Sequence, residues 1–135
     1  MKTKERRQKM QELTKKNYVD EAEKVVKKLE KDKFDKFILT TSKIRNILSM
    51  ISGIYNDVTH CSEEELNDDI VERIQYLRMR FAYEAGREPA VKDLMIKAEI
   101  TSQIKAIGTN KEKCSLFCKY MEAIVAYHKF YGGQD

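Results

Sequence analysis

The stretch from Phe117 to Gly133 constrains the fold more than any other part of the chain. Taken as a helix, it puts Phe117, Tyr120, Met121, Ile124, His128 and Tyr131 on one face, at steps of three and four. A face this rich in large side chains needs a groove built by other elements. Gly132 and Gly133 then stop the helix, because glycine takes the left-handed conformation after a last turn at little cost.

The rest of the chain carries the same period. A first helix is expected over 17–31, with Val19, Ala22, Val25, Val26 and Leu29 as its apolar stripe. A second is expected over 41–57, with Ile44, Ile47, Leu48, Ile51, Ile54, Tyr55 and Val58. Thr40, Thr41 and Ser42 offer it N-cap oxygens. Ser62 and Glu65 match a capping box and predict the start of a third helix, running to about Gly86. Its buried stripe is Leu66, Ile70, Ile74, Leu77 and Phe81, and its early acids suit the positive end of the helix dipole.

Pro89 opens a fourth helix, over 89–107, with Val91, Leu94, Met95, Ala98, Ile104 and Ile107 inward. Gly108 ends it, and Thr109 with Glu112 predicts a capping box for the fifth. No segment alternates with period two, so no sheet is expected. Short connections favour antiparallel neighbours. The expectation is an all-α fold, a single compact bundle of about five helices over 17–135, preceded by a basic tail over 1–16.

A chain of 135 residues with 41% hydrophobic residues can bury a real core. No apolar run approaches the roughly eighteen residues that span a bilayer. The opening Met1-Lys2-Thr3-Lys4-Glu5-Arg6-Arg7 leads into no apolar segment. A cytoplasmic location with no membrane partner is expected. Cys61, Cys114 and Cys118 make an odd count and point to reduced thiols. A metal at Cys114 and Cys118 would need two more ligands, and His128 lies too far along the same helix to help. They are read as small buried residues.

The formal net charge is +4, unevenly spread. Arg73, Tyr76, Arg80, Tyr83 and Arg87 follow one line of the third helix, about a quarter turn from Leu77. Forked guanidinium donors match phosphate oxygens, and tyrosines between them can stack on bases, which suits RNA. The plain alternative pairs Arg73 with Asp69, pairs Arg80 and Arg87 with Glu84, and lays the tyrosines over the core. Lys43 and Arg45, beside Thr40, Thr41 and Ser42, could seat a phosphate or stand as solvated charges near a cap. Lys119 and Lys129 on the back of the last helix could extend a basic surface or simply be solvated.

Three segments carry a resemblance. They are Leu39-Thr40-Thr41-Ser42-Lys43-Ile44-Arg45-Asn46-Ile47-Leu48, the run from Tyr76 to Glu88, and most specifically Glu122-Ala123-Ile124-Val125-Ala126-Tyr127-His128-Lys129-Phe130-Tyr131-Gly132-Gly133. Together, from about Leu39 to Gly133, the chain resembles the small subunit of the type III-A CRISPR effector, the Csm complex. The resemblance implies a non-catalytic subunit that stacks in several copies beside other Csm subunits and helps hold target RNA as it pairs with guide RNA. It favours RNA contact at Arg80 and Arg87, and at Arg78 on the other flank. It also implies that target cutting, DNA cleavage and cyclic oligoadenylate synthesis belong to neighbouring subunits.

Within the residues themselves no active site stands out. There is no G-x-x-x-x-G-K-[ST], H-E-x-x-H or C-x-x-C. Glu122 and His128 are six apart and point to different sides of a helix, so a ribonuclease built on them is disfavoured. His128 is read as bonded to a core neighbour. The expectation is no enzyme, no cofactor and no metal. The residues alone leave open a helical DNA-binding regulator, a protein-binding adaptor that touches no nucleic acid, and a metal-free ribonuclease whose product formation would disappear with His128→Ala.

Overall fold

Helix α6, Lys111–Phe130, is the element around which much of the chain is arranged. The computed structural model describes residues 11–135. Within it α1 is Tyr18–Lys28, a 3₁₀ turn at Thr41–Ile44 leads into α2, Arg45–Thr59, and α3 is Asp68–Arg87. Then come α4, Pro89–Lys97, and α5, Ile100–Ile107. Helix α6 packs against α1, α2 and α5, while α3 packs against α4 and α2. The described residues contain isolated bridges at Lys31–Phe37 and Glu65–Asn110 but no strand. The all-α expectation holds, with six α-helices rather than five among the described residues.

The stripes meet in one core. Phe81, Tyr120, Met121, Ile47, Leu94 and Ile100 are wholly enclosed. Enclosing a side chain of this size stabilises the fold by about 1.5–3 kcal/mol relative to leaving it in water. Each residue expected inward on α3 is buried, and Cys114 and Cys118 are buried as well. Among the other expected inward residues, Leu48, Tyr55 and Met95 are only partly buried, while Val19 is 39% exposed on α1 and Tyr131 is 37% exposed beyond the end of α6.

The fourth helix is two helices. Glu99 has φ 52°, a left-handed conformation that breaks the chain between α4 and α5. At about 100° per residue, an unbroken helix that turned Val91, Leu94 and Ala98 inward would turn Ile100, Ile104 and Ile107 to the opposite side. The break re-aims the second stripe, and both sets are buried.

Both predicted capping boxes are replaced. Asn67 caps α3, its side chain accepting from Ile70 N at 2.9 Å, and Asn110 caps α6, accepting from Lys113 N at 2.8 Å. Ser62 and Glu65 lie outside any helix, because the residues before α3 pair with those before α6. Leu66 N–H donates to Thr109 O at 2.9 Å, and Glu65 bridges Asn110. Leu66 is buried at that pairing, outside any helix, so tertiary contact overrides the local pattern. No side chain of Thr40, Thr41 or Ser42 caps α2 either.

The stop after α6 forms as the glycine pair predicts. Gly132 has φ 100°, its N–H donates to Lys129 O at 3.1 Å, and Gly133 N–H reaches His128 O at 2.6 Å. These two bonds make a Schellman closure. The expected basic tail over 1–16 falls outside the described residues up to position 10. Beyond it, Thr14 Oγ1 accepts from Asn17 N at 3.1 Å, and Lys15 pairs with Glu112 at 3.3 Å.

Candidate nucleic-acid interface

The line of five residues on α3 is present, and its charges are engaged. Arg73 donates to Asp57 Oδ2 at 2.5 Å and lies 3.6 Å from Asp69. Arg80 Nη2 donates to Glu84 Oε2 at 2.9 Å, and Arg87 Nη1 to Glu84 Oε1 at 3.3 Å. Glu84 is buried beneath the two arginines. Tyr83 lies between them, with the Arg80 and Arg87 guanidinium carbons 5.1 and 5.6 Å from its ring centre. The plain alternative foresaw the Glu84 and Asp69 pairs. It did not foresee the tyrosines' position: Tyr76, Met79 and Tyr83 are all more than half exposed.

Lys43 joins this group from the 3₁₀ turn. Its ammonium pairs with Glu88 Oε1 at 2.9 Å, just before α4. Lys43, Arg87, Glu84 and Glu88 line one hollow of about 260 Å³. The charges there are interleaved, so each cation faces an acid of the same chain.

A second site lies between α2 and α6. Arg45 and Lys129 line an open groove of about 530 Å³, with Thr41, Ser49 and Ser52 supplying hydroxyls and Leu48 and Val125 an apolar wall. The fold thus brings Lys43 and Arg87 to one hollow, with Arg80 joined to it through the shared Glu84, and Arg45 with Lys129 to another. Arg78 is half-buried on a different side of α3 from Arg80. Lys119, also half-buried, stands about 15 Å along α6 from Lys129. Neither lines either site.

Asp135 also lines the groove, and it is the residue that sequence reasoning missed. Lys129 Nζ donates to its Oδ1 at 3.1 Å, and this bond holds the Asp135 carboxyl below the usual carboxylate range. The backbone amides of the expected phosphate seat are taken as well. Thr41 N–H donates to Gln134 O at 3.1 Å and Ser42 N–H to Asp135 O at 3.0 Å. An acid shortly after a glycine stop was the one available signal.

The histidines are used structurally. His128 is buried, its Nε2 donates to Leu39 O at 2.8 Å, and its ring lies 5.2 Å from that of Phe37. Glu122 is exposed on another side of α6, so the two do not meet. His60 Nδ1 bonds Asn56 O at 2.7 Å at the end of α2. Among the described residues no group of three or more His, Cys, Asp or Glu is placed to hold a metal ion. None of their helices is long and apolar enough to cross a membrane.

Comparison with known proteins agrees with the family resemblance. The family model described as Csm2 Type III-A matches residues 3–134. A Streptococcus thermophilus protein named CRISPR system Cms protein Csm2 is 49% identical over 123 residues, which is 91% of this chain and 98% of that one. Proteins of the same name from Enterococcus italicus and Mycobacterium tuberculosis are 42% and 36% identical. The first match covers 69% of this chain and 68% of the relative, the second 88% and 94%. A near full-length family match and this level of identity leave one conclusion: the chain belongs to the type III-A Csm2 family.

Proposed function

We propose that this protein serves as a non-catalytic small subunit of a type III-A CRISPR effector complex in the cytoplasm, and that it helps hold target RNA as that RNA pairs with the guide. Family membership supports the place in the complex. One observation carries the RNA contact: Arg45 and Lys129, remote in sequence, line a single open groove with serine hydroxyls beside them. Two cations and several hydroxyls suit a phosphate chain and read no base. Pairing with the guide supplies sequence discrimination.

Lys43, Arg80 and Arg87 form a second contact, with Arg78 and Lys119 extending the basic surface. Several copies stack along the guide–target duplex beside the other Csm subunits. The exposed strip of Tyr76, Met79 and Tyr83 provides apolar contact area for a neighbour. Each copy binds weakly, and a row of copies gains through effective concentration.

The test is single-stranded RNA binding by the isolated protein at several salt concentrations. Three neutralised phosphates give a log–log slope of about −2. Arg45→Glu with Lys129→Glu lowers affinity about tenfold or more, because the groove then repels the phosphates it had neutralised. Tight, salt-independent binding, or an unchanged double variant, contradicts the proposal. Preference for duplex DNA would favour a DNA-binding regulator. In the assembled complex, Arg80→Glu with Arg87→Glu leaves assembly intact and weakens target capture. Loss of assembly with no effect on RNA would favour a protein-binding adaptor.

A further inference from the structure

The groove between α2 and α6 holds an anion of the chain's own. Asp135 Oδ1 accepts from Lys129 Nζ at 3.1 Å and lies 3.5 Å from Thr41 Oγ1. The Arg45 charge also acts on this carboxylate. Around it the Thr41 and Ser42 amides bond the carbonyls of Gln134 and Asp135. The side chains that bond or act on the Asp135 carboxylate here are those of Lys129, Arg45 and Thr41, two cations and a hydroxyl, so the site favours an anion with several acceptor oxygens.

The path of this segment is set by the fold. The Schellman closure at Gly132 turns the chain back along α6. Gly133 is buried directly against the His128 ring, where a Cβ would overlap the imidazole. The next two residues are thereby delivered to the groove mouth. The pairing is nonetheless lightly held: the Asp135 and Lys129 side chains are 77% and 64% exposed, which makes their ion pair worth little.

We infer that Asp135 is an internal stand-in for a nucleic-acid phosphate, and that single-stranded RNA displaces it to seat a phosphodiester among Lys129, Arg45 and Thr41. The identity of the ligand rests on the RNA contact proposed above. The seat itself rests on the occupant seen in it. While the Asp135 side chain is in place it offsets one of the two cationic charges of Arg45 and Lys129, and when it leaves, both face the groove. The apparent affinity is reduced by the fraction of molecules in which the seat is open.

The test compares the wild type, Asp135→Asn, Lys129→Gln, the double variant of these two, and Asp20→Asn as a control for the loss of an exposed acid on α1. Fluorescence anisotropy with labelled oligouridine RNA reads affinity against salt. Amide NMR of Thr41 and Ser42 during titration with inorganic phosphate reads the seat without RNA. Asp135→Asn should tighten RNA binding about three- to tenfold. It should also steepen the log–log salt slope by about 0.7, one phosphate's share for a single strand. Asp20→Asn should change affinity less than about twofold, as the loss of one charge remote from the seat. The double variant should lose the gain. Phosphate should move the Thr41 and Ser42 amides at lower concentration in Asp135→Asn than in the wild type.

If RNA binds but Asp135→Asn behaves like Asp20→Asn, the stand-in is overturned while the RNA-holding function stands. If phosphate shifts those amides in Asp135→Asn yet RNA binds no variant, RNA as the ligand is overturned along with that function. If phosphate leaves both amides unmoved in Asp135→Asn, the anion seat itself is overturned.

Discussion

The hydroxyl of Tyr120 donates to the carbonyl of Ala98 at 3.1 Å, one residue before the left-handed Glu99. A fully enclosed side chain of α6 thus ties down the break that divides α4 from α5. Tyr120→Phe keeps the packing and removes the bond, so it should cost about 1–2 kcal/mol. Urea unfolding should show a lower midpoint with an unchanged slope. An unchanged midpoint would mean that the bond adds nothing to the break.

The caps separate what the local pattern suggests from what the fold uses. Asn67→Ala and Asn110→Ala should each destabilise by about 1 kcal/mol. Ser62→Ala and Thr109→Ala should each change stability by less than about 0.5 kcal/mol, as surface substitutions do. Thermal unfolding of the four variants checks this, and the opposite ranking would restore the capping boxes.

Two arginines share Glu84 unequally. The Arg80 contact is shorter and three-quarters enclosed, while the Arg87 side chain is 56% exposed. Arg80→Ala should therefore cost about 1–2 kcal/mol, and Arg87→Ala less than about 0.5 kcal/mol after solvent screening. Equal losses in chemical denaturation would show that enclosure is not what distinguishes them.

Carboxylate titration gives a signed test. The bond from Arg73 holds the Asp57 carboxyl below its ordinary range, and the bond from Lys129 does the same for Asp135. Each contribution to stability is therefore present above the ordinary aspartate value of about 3.9, and is lost as pH falls through the depressed native value. Carbon-detected NMR should place both midpoints below about 3.9. At the alkaline end, burial pushes the Tyr120 hydroxyl up, with Glu21 and Glu99 adding to it. Its contribution holds below the ordinary tyrosine value of about 10 and falls away as pH rises beyond it. Ultraviolet titration should show Tyr120 ionising above the ordinary tyrosine value of about 10.

The thiols should sort by accessibility. Cys61 is half-buried, whereas Cys114 and Cys118 are enclosed. The hydrogen bond with Cys114, and then burial, pushes the Cys118 thiol up. A short iodoacetamide pulse followed by mass spectrometry should label Cys61 first. Labelling of the other two should wait for unfolding.

The sequence pattern carried the helices wherever one face is simply apolar. The stripes of α2 and α3 are legible from spacing, as is the Schellman stop at Gly132. What misled was local chemistry in competition with distant contact. Ser62 with Glu65 has the form of a capping box, but pairing with Thr109 and Asn110 claims that segment first. The break at Glu99 was readable in principle, since Ile100, Ile104 and Ile107 fall on the wrong side of any helix that buries Val91 and Leu94.

In the candidate interface, Arg80, Glu84 and Arg87 were legible as neighbours because one helix spaces them. The Lys43–Glu88 pair and the Arg45–Lys129 groove join residues that only the tertiary fold brings together. The acid at Asp135 depends on a chain reversal whose direction spacing alone does not give.

The backbone clasp joining Leu66 to Thr109 also governs where the chain tolerates extra length. Residues added among positions 62–64 would only lengthen an exposed connection, at about 0.6 kcal/mol for each doubling. A single residue inserted between Leu66 and Asn67 would part the anchored leucine from the asparagine that starts α3. The two twenty-residue rods, α3 and α6, would then lose their common origin.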